Sequence, residues 1–99
     1  MTGDAERLSF LGRGVPPAFE MRTVAIAPGE SLAFVEAQWL DALVVLESGD
    51  LEVECLQGGR RRFAPGAVMC LAGLDLRTLH SLGPDGVVLT AVSRRQIGL

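Results

Sequence analysis

Ala42-Leu43-Val44-Val45-Leu46-Glu47-Ser48-Gly49-Asp50-Leu51-Glu52-Val53-Glu54-Cys55 is the stretch that decides how this chain folds. Residues 42–46 are apolar at both parities, the pattern of a strand covered on both faces. Ser48-Gly49-Asp50 is a turn signal. Beyond it, Leu51, Val53 and Cys55 alternate with Glu52 and Glu54, so the second strand has one buried and one wet face. A fully covered strand turning into a half-covered one places this hairpin at the centre of a β structure.

Working outward, the next turn is Gly58-Gly59, followed by Arg60-Arg61-Arg62 and Phe63. A three-residue loop, Gln57-Gly58-Gly59, with Gly59 at positive φ, sets Val53 opposite Phe63 and Glu54 opposite Arg62. A two-residue loop on the glycines would place Glu54 beside Phe63 and is the weaker register. The triple arginine beside Glu52 and Glu54 reads as the charged flank of a hairpin, with anion binding as its alternative.

Further turn signals at Pro28-Gly29, Pro65-Gly66, Gly73 and Gly83-Pro84-Asp85-Gly86 punctuate short runs rich in Val, Leu and Phe. They predict strands at residues 20–27, 32–35, 68–72, 76–82 and 87–93. About eight short antiparallel strands in one domain of residues 1–99 indicate an all-β jelly roll, which limits free sheet edges by wrapping two sheets together. Residues 1–14 are expected to form an arm or edge strand, with Pro16-Pro17 holding the approach to the first strand extended. Residues 94–99 are expected to form a tail, or an edge strand in a dimer. Phe19, Met21 and Phe34 are core candidates.

Composition narrows the function classes. With 48% hydrophobic residues the chain is not a disordered one. A net charge of −3 argues against nucleic acid, which needs a basic face to displace counterions. No apolar run approaches the roughly 20 residues of a membrane span, and the opening residues lack a basic start followed by an apolar stretch. Cys55 and Cys70, both in apolar strand patterns, read as buried free thiols of a reducing compartment, so the cytoplasm is expected.

From Ile26 to Val92, the order of turns resembles the cupin superfamily. The marks are Pro28-Gly29-Glu30-Ser31 leading a strand, residues 44–53 closing the first cupin motif at Gly49, and Phe63-Ala64-Pro65-Gly66-Ala67-Val68 opening the second. The resemblance implies a double-stranded β-helix and a homodimer. It also assigns the family's metal ligands to positions that here hold Val35, Ala37 and Ala42. The second motif's histidine falls on Arg77, or on Leu76 if the Gly73 turn is one residue shorter. Hydrocarbon and a cation cannot replace imidazoles and a carboxylate around a divalent ion, so no metal and no cofactor are expected. Asp41 is one residue from the glutamate position, and alternation aims it to the other face. Cyclic-nucleotide-binding domains share the strand topology, but the stretch from Gly66 to Cys70 lacks the glutamate of their phosphate cassette.

The residues expected near a ligand are Val35, Ala37, Trp39, Ala42, Leu76, Thr78 and His80. His80 is the only histidine and shares parity with Leu76, which the shorter alignment turns to the lumen. Trp39 lies where such barrels open and can stack on a ligand, pack in a dimer or lid the core. Three functions follow: a metal-independent module binding a small, mainly apolar molecule in the barrel; a metal-free isomerase or cyclase using His80 as general acid or base; or a structural dimer with a packed core and no ligand.

Overall fold

A computed structural model describes residues 9–95. Eight strands run β1 (Phe19–Ile26), β2 (Ser31–Ala33), β3 (Ala42–Ser48), β4 (Asp50–Cys55), β5 (Arg60–Phe63), β6 (Val68–Met69), β7 (Leu76–Leu82) and β8 (Val87–Arg94). They form two four-stranded antiparallel sheets, ordered β1-β8-β3-β6 and β2-β7-β4-β5. Because β3 and β4 are consecutive yet lie in different sheets, they do not form the expected hairpin; the turn at Gly49 carries the chain over from one sheet to the other. This is the expected jelly roll, all-β throughout. Among the described residues, no helix is long and apolar enough to cross a membrane.

The core lies between the sheets. Val44 and Leu46 from β3, Leu51 and Val53 from β4, Leu79 from β7 and Leu89 from β8 are fully buried and packed in one cluster. Each such side chain contributes roughly 1.5–3 kcal/mol relative to exposure. These six residues line the space between the sheets with hydrocarbon.

Gly49 makes the crossing feasible. Its φ is +86°, and a Cβ there would collide with the backbone of Gly86 and Val87. Only a residue without a side chain permits both the left-handed turn and the close approach of the two chains.

Strand β3 is covered on its outer side less evenly than its sequence implies. Val45 is fully buried while Leu43 remains 39% exposed. The cover is tied down through Glu47, a carboxylate only 6% exposed. It accepts hydrogen bonds from Ser9 Oγ (2.5 Å), the Phe10 amide (2.8 Å) and Thr90 Oγ1 (2.6 Å). Residues 9–14 are therefore an arm held against the sheet, not an edge strand; residues 1–8 and 96–99 lie outside the described part. Pro16 and Pro17 turn instead of extending, since the Phe19 amide bonds Pro16 O. Arg94 belongs to β8 and not to a tail.

The β4–β5 hairpin keeps its faces and shifts its partners. Leu51 pairs Phe63, Glu52 pairs Arg62, Val53 pairs Arg61 and Glu54 pairs Arg60, two residues from the expected register. The loop is Leu56-Gln57-Gly58, closed by the Cys55 amide on Gly59 O, with Gly58 rather than Gly59 at positive φ. Both loops have three residues and end in glycine, so alternation alone could not separate them. Two other expectations fail. Residues 70–72 leave β6 for a 3-10 turn, Leu71–Gly73, and Cys70 is exposed while Cys55 is half-buried; both thiols are free.

Candidate functional site

The two sheets part at the end where β3 begins and β8 ends. Two 3-10 turns close this mouth, and they are built alike. Glu36–Gln38 is followed by Trp39, Leu40 and Asp41, and Leu71–Gly73 by Leu74 and Asp75. Asp41 and Asp75 adopt φ of 56° and 53°, a left-handed conformation that Asp tolerates better than most side chains. Each left-handed Asp reverses the chain into the strand behind it, β3 or β7. The repeated Leu-Asp pair, Leu40-Asp41 and Leu74-Asp75, was visible in the sequence and is the signal that could have located both turns.

Trp39 is the centre of the mouth. It is 1% exposed, stacked on Phe34 with ring centroids 6.3 Å apart, and its Nε1–H has no acceptor among the described residues. The guanidinium of Arg22, from β1, lies 4.5 Å from the Trp39 ring centroid and donates to Gln38 O. Arg22 reaches this place by strand parity. Ile26 and Val24 on β1 face the core, so Arg22 and then Glu20 continue the same row beyond the end of the hydrophobic cluster.

Two depressions flank this pair. A cleft of about 500 Å³ between β1, β8 and residues 37–41 is bordered by Glu20, Arg22, Gln38, Asp41 and Ser93 among others. A groove of about 650 Å³ along the outer side of the same sheet is bordered by Phe19, Trp39, Leu43, Cys70 and Val92. Asp41, Ser93 and Arg94 border both.

A second polar constellation lies on the outer face of β2-β7-β4-β5. His80 Nε2 is 2.9 Å from Glu54 Oε1, and its Nδ1 is 2.6 Å from Ser31 Oγ. Glu54 is held below the usual carboxylate range, first by the His80 hydrogen bond and then by the charges of Arg60, His80 and Arg77. An ionised Glu54 can only accept, so the proton between them lies on Nε2, and with Nδ1 unprotonated that nitrogen accepts a hydrogen bond from the Ser31 hydroxyl. Beside them, Arg60 bonds Glu52 at 2.8 Å and Arg62 reaches it at 3.5 Å. The Arg60 hydrogen bond is the main cause that lowers Glu52, against the opposing effect of burial. Arg60 and Arg62 are thus engaged with the acids of their own hairpin, while Arg61 stands opposite Val53.

Among solved structures, the fold is similar to the Cupin_2 domain of an XRE-family transcriptional regulator from Enterobacter cloacae. The TM-score is 0.61 at 20% identity, over 81% of this chain and 84% of that one. The chain has the cupin fold. No family model matches the sequence, and no curated protein matches it.

Of the positions that the cupin resemblance singles out, Ala42 and Leu76 are buried in the core cluster. Val35 and Ala37 do not line the lumen: β2 ends at Ala33, and both residues are exposed in the 3-10 segment, Ala37 on the border of the cleft. Thr78 and His80 are also turned away from the lumen. The β4–β7 ladder shifts register between Glu54, which pairs Thr78, and Cys55, which pairs Leu76. This bulge inserts Arg77 and flips the parity, so Leu76, Leu79 and Ser81 face inward while Thr78 and His80 face outward. No alternation rule could foresee it. Glu36 is exposed, as expected. Phe19, Met21 and Phe34 are half-buried, and of the three Phe34 packs against the core cluster.

The cupin metal positions do not fit a metal here. They hold two exposed hydrocarbon side chains, two buried ones and Arg77, whose guanidinium donates to Leu56 O at 3.0 Å. Among the described residues, no group of three or more His, Cys, Asp and Glu side chains is arranged to hold an ion. Of the residues expected near a ligand, Trp39 and Ala42 lie at this end of the barrel; Arg22 and Glu20, not singled out from the sequence, border the cleft there because they continue the core row on β1.

Proposed function

We propose that this cupin-fold domain is a metal-independent binding module whose small-molecule ligand sits at the barrel mouth, over Trp39, and not deep between the sheets. The observation that carries this reading is Trp39 itself. Capped by the Arg22 guanidinium, this indole stands at the junction of a polar cleft and an apolar groove, where a ligand with a polar and an apolar end finds both. Between the sheets the lining is hydrocarbon, apart from the buried Ser81 hydroxyl, and carries no charged group among the described residues. The apolar body expected of the ligand belongs against Phe19, Leu43 and Val92, with its polar end toward Arg22.

Trp39 is the only tryptophan, so its fluorescence reports this site alone. A library of small organic acids, amines, amino acids and neutral aromatics is screened by thermal shift, and hits are titrated against Trp39 emission. A hit that perturbs the emission and weakens at least tenfold in Arg22→Ala supports the reading. No hit, or hits indifferent to Arg22, would remove it.

A second reading, a metal-free enzyme, rests on the Ser31-His80-Glu54 chain. A carboxylate, an imidazole and a hydroxyl in hydrogen-bonding sequence can pass a proton at Ser31 Oγ. This chain lies on an exposed sheet face away from both depressions at the mouth. His80→Ala that leaves ligand affinity and any turnover unchanged eliminates it. The expected homodimer is proposed through the outer edge of β1-β8-β3-β6 at β6, where Val68 is an exposed apolar residue outside the groove; sedimentation of Val68→Lys against the parent tests it.

A further inference from the structure

The cleft at the mouth carries charge of both signs, and the charges do not neutralise one another. Glu20, Arg22, Asp41 and Arg94 all border it. Among the described residues, the ion pairs within 4.0 Å join only Arg60, Arg62 and His80 to Glu52 and Glu54. The four charged side chains at the mouth are therefore each left, among the described residues, without a partner of opposite sign, although two cations and two anions share one space of about 500 Å³. Elsewhere on the same molecule, Arg60, Arg62, Glu52 and Glu54 stand close together and do pair.

Strand geometry explains why the mouth charges stay apart. Glu20 and Arg22 are two residues apart on one face of β1, so their Cα atoms are roughly 6.5 Å apart and their side chains run side by side. Arg22 is then drawn over Trp39 and onto Gln38 O, which turns it away from Glu20. A guanidinium has five N–H donors, and one bond to Gln38 O leaves others for a planar acceptor such as a carboxylate. Glu20 and Asp41 are acceptors suited to an ammonium group, and Ser93, which borders the same cleft, adds a hydroxyl.

From this we infer that the ligand is a small zwitterion of the α-amino-acid class, its carboxylate on Arg22 and its ammonium on Glu20 or Asp41, with its side chain directed to the apolar groove. This rests on the binding reading above and names its ligand class. A simple anion would meet Arg22 but be repelled by Glu20 and Asp41, and a simple cation would meet the reverse. Only a molecule bearing both charges is favoured by all of them.

The test is a matched series on the intact chain, read by calorimetry and Trp39 emission. Leucine, methionine and phenylalanine are each compared with their N-acetyl derivative, which keeps only the anion, and their amide, which keeps only the cation. The expected result is that at least one free amino acid binds tenfold or more tighter than both of its derivatives. Arg22→Gln should then weaken the free and N-acetyl forms but not the amide, and Glu20→Gln or Asp41→Asn the free form and the amide but not the N-acetyl form. Both faces of the pattern are needed, so a variant that merely unfolds, weakening all forms alike, does not imitate it; circular dichroism of each variant confirms folding. A derivative binding as tightly as its parent overturns the zwitterion and leaves the binding module standing. So does a library hit of another class when none of the nine compounds binds. Silence from both the series and the library removes both readings.

Discussion

Replacing Glu47 by alanine should be among the most damaging single changes on the outer side of this barrel. The carboxylate is nearly buried and accepts from Ser9, Phe10 and Thr90, and Thr90 is fully buried. Hydrogen bonds to a charged group each contribute about 1.5–3 kcal/mol, but they do not add simply. Stranding the Thr90 hydroxyl without an acceptor costs a further 1–3 kcal/mol or so. A total loss of about 3–5 kcal/mol is the reasonable sum, against the roughly 5–15 kcal/mol of a typical domain. With a urea m-value of about 1–1.5 kcal/mol/M for a chain this size, the midpoint should fall by about 2–5 M. Equilibrium urea unfolding followed by circular dichroism measures it. The mechanism makes a second demand. Adding Thr90→Val to Glu47→Ala removes the stranded donor and should return roughly 1–2 kcal/mol. A loss below about 1 kcal/mol for Glu47→Ala, or no recovery in the double variant, would refute the account of Glu47 as the latch of the arm.

Other outcomes follow from the same structure. Glu52 and Glu54 are held below the ordinary carboxylate value of about 4.3, so their contribution to stability is full above that pH and lost as pH falls through the depressed folded values. Glu52→Gln should therefore lower stability at pH 7 and flatten its fall below about pH 4; an unchanged acid limb in urea titrations contradicts the pairing. Gly49→Ala should express poorly or unfold at low urea, since its Cβ would meet the Gly86 backbone and strain a left-handed turn; parent-like stability would mean that the two turns do not approach each other. Trp39→Ala should cost about 3–5 kcal/mol by thermal unfolding, whereas Trp39→Phe costs less because the stack on Phe34 and the cation contact survive.

The strand inventory was legible because its causes are local. Alternation at Leu51, Val53 and Cys55, the apolar run of 42–46, and the glycine turns state which segments extend and where they reverse, and the spacing of Gly29, Gly49 and Gly66 was enough to suggest a cupin. The site was legible only in part. Trp39 and Ala42 stand at the mouth because turn spacing places them there. His80 was assigned to the lumen by counting parity from Leu76, and the count failed at the Arg77 bulge.

What the sequence determined alone was therefore the set of strands, the jelly roll they form, and the hydrocarbon at the positions where the family's ligands would be. Only tertiary structure decided which side chains meet. Alternation has a period of two and no memory of an inserted residue, so a single bulge, here in the β4–β7 ladder, reverses every assignment beyond it. The same holds at the mouth, where Arg22 acquires its place over Trp39 from a distant segment closing on the end of β1.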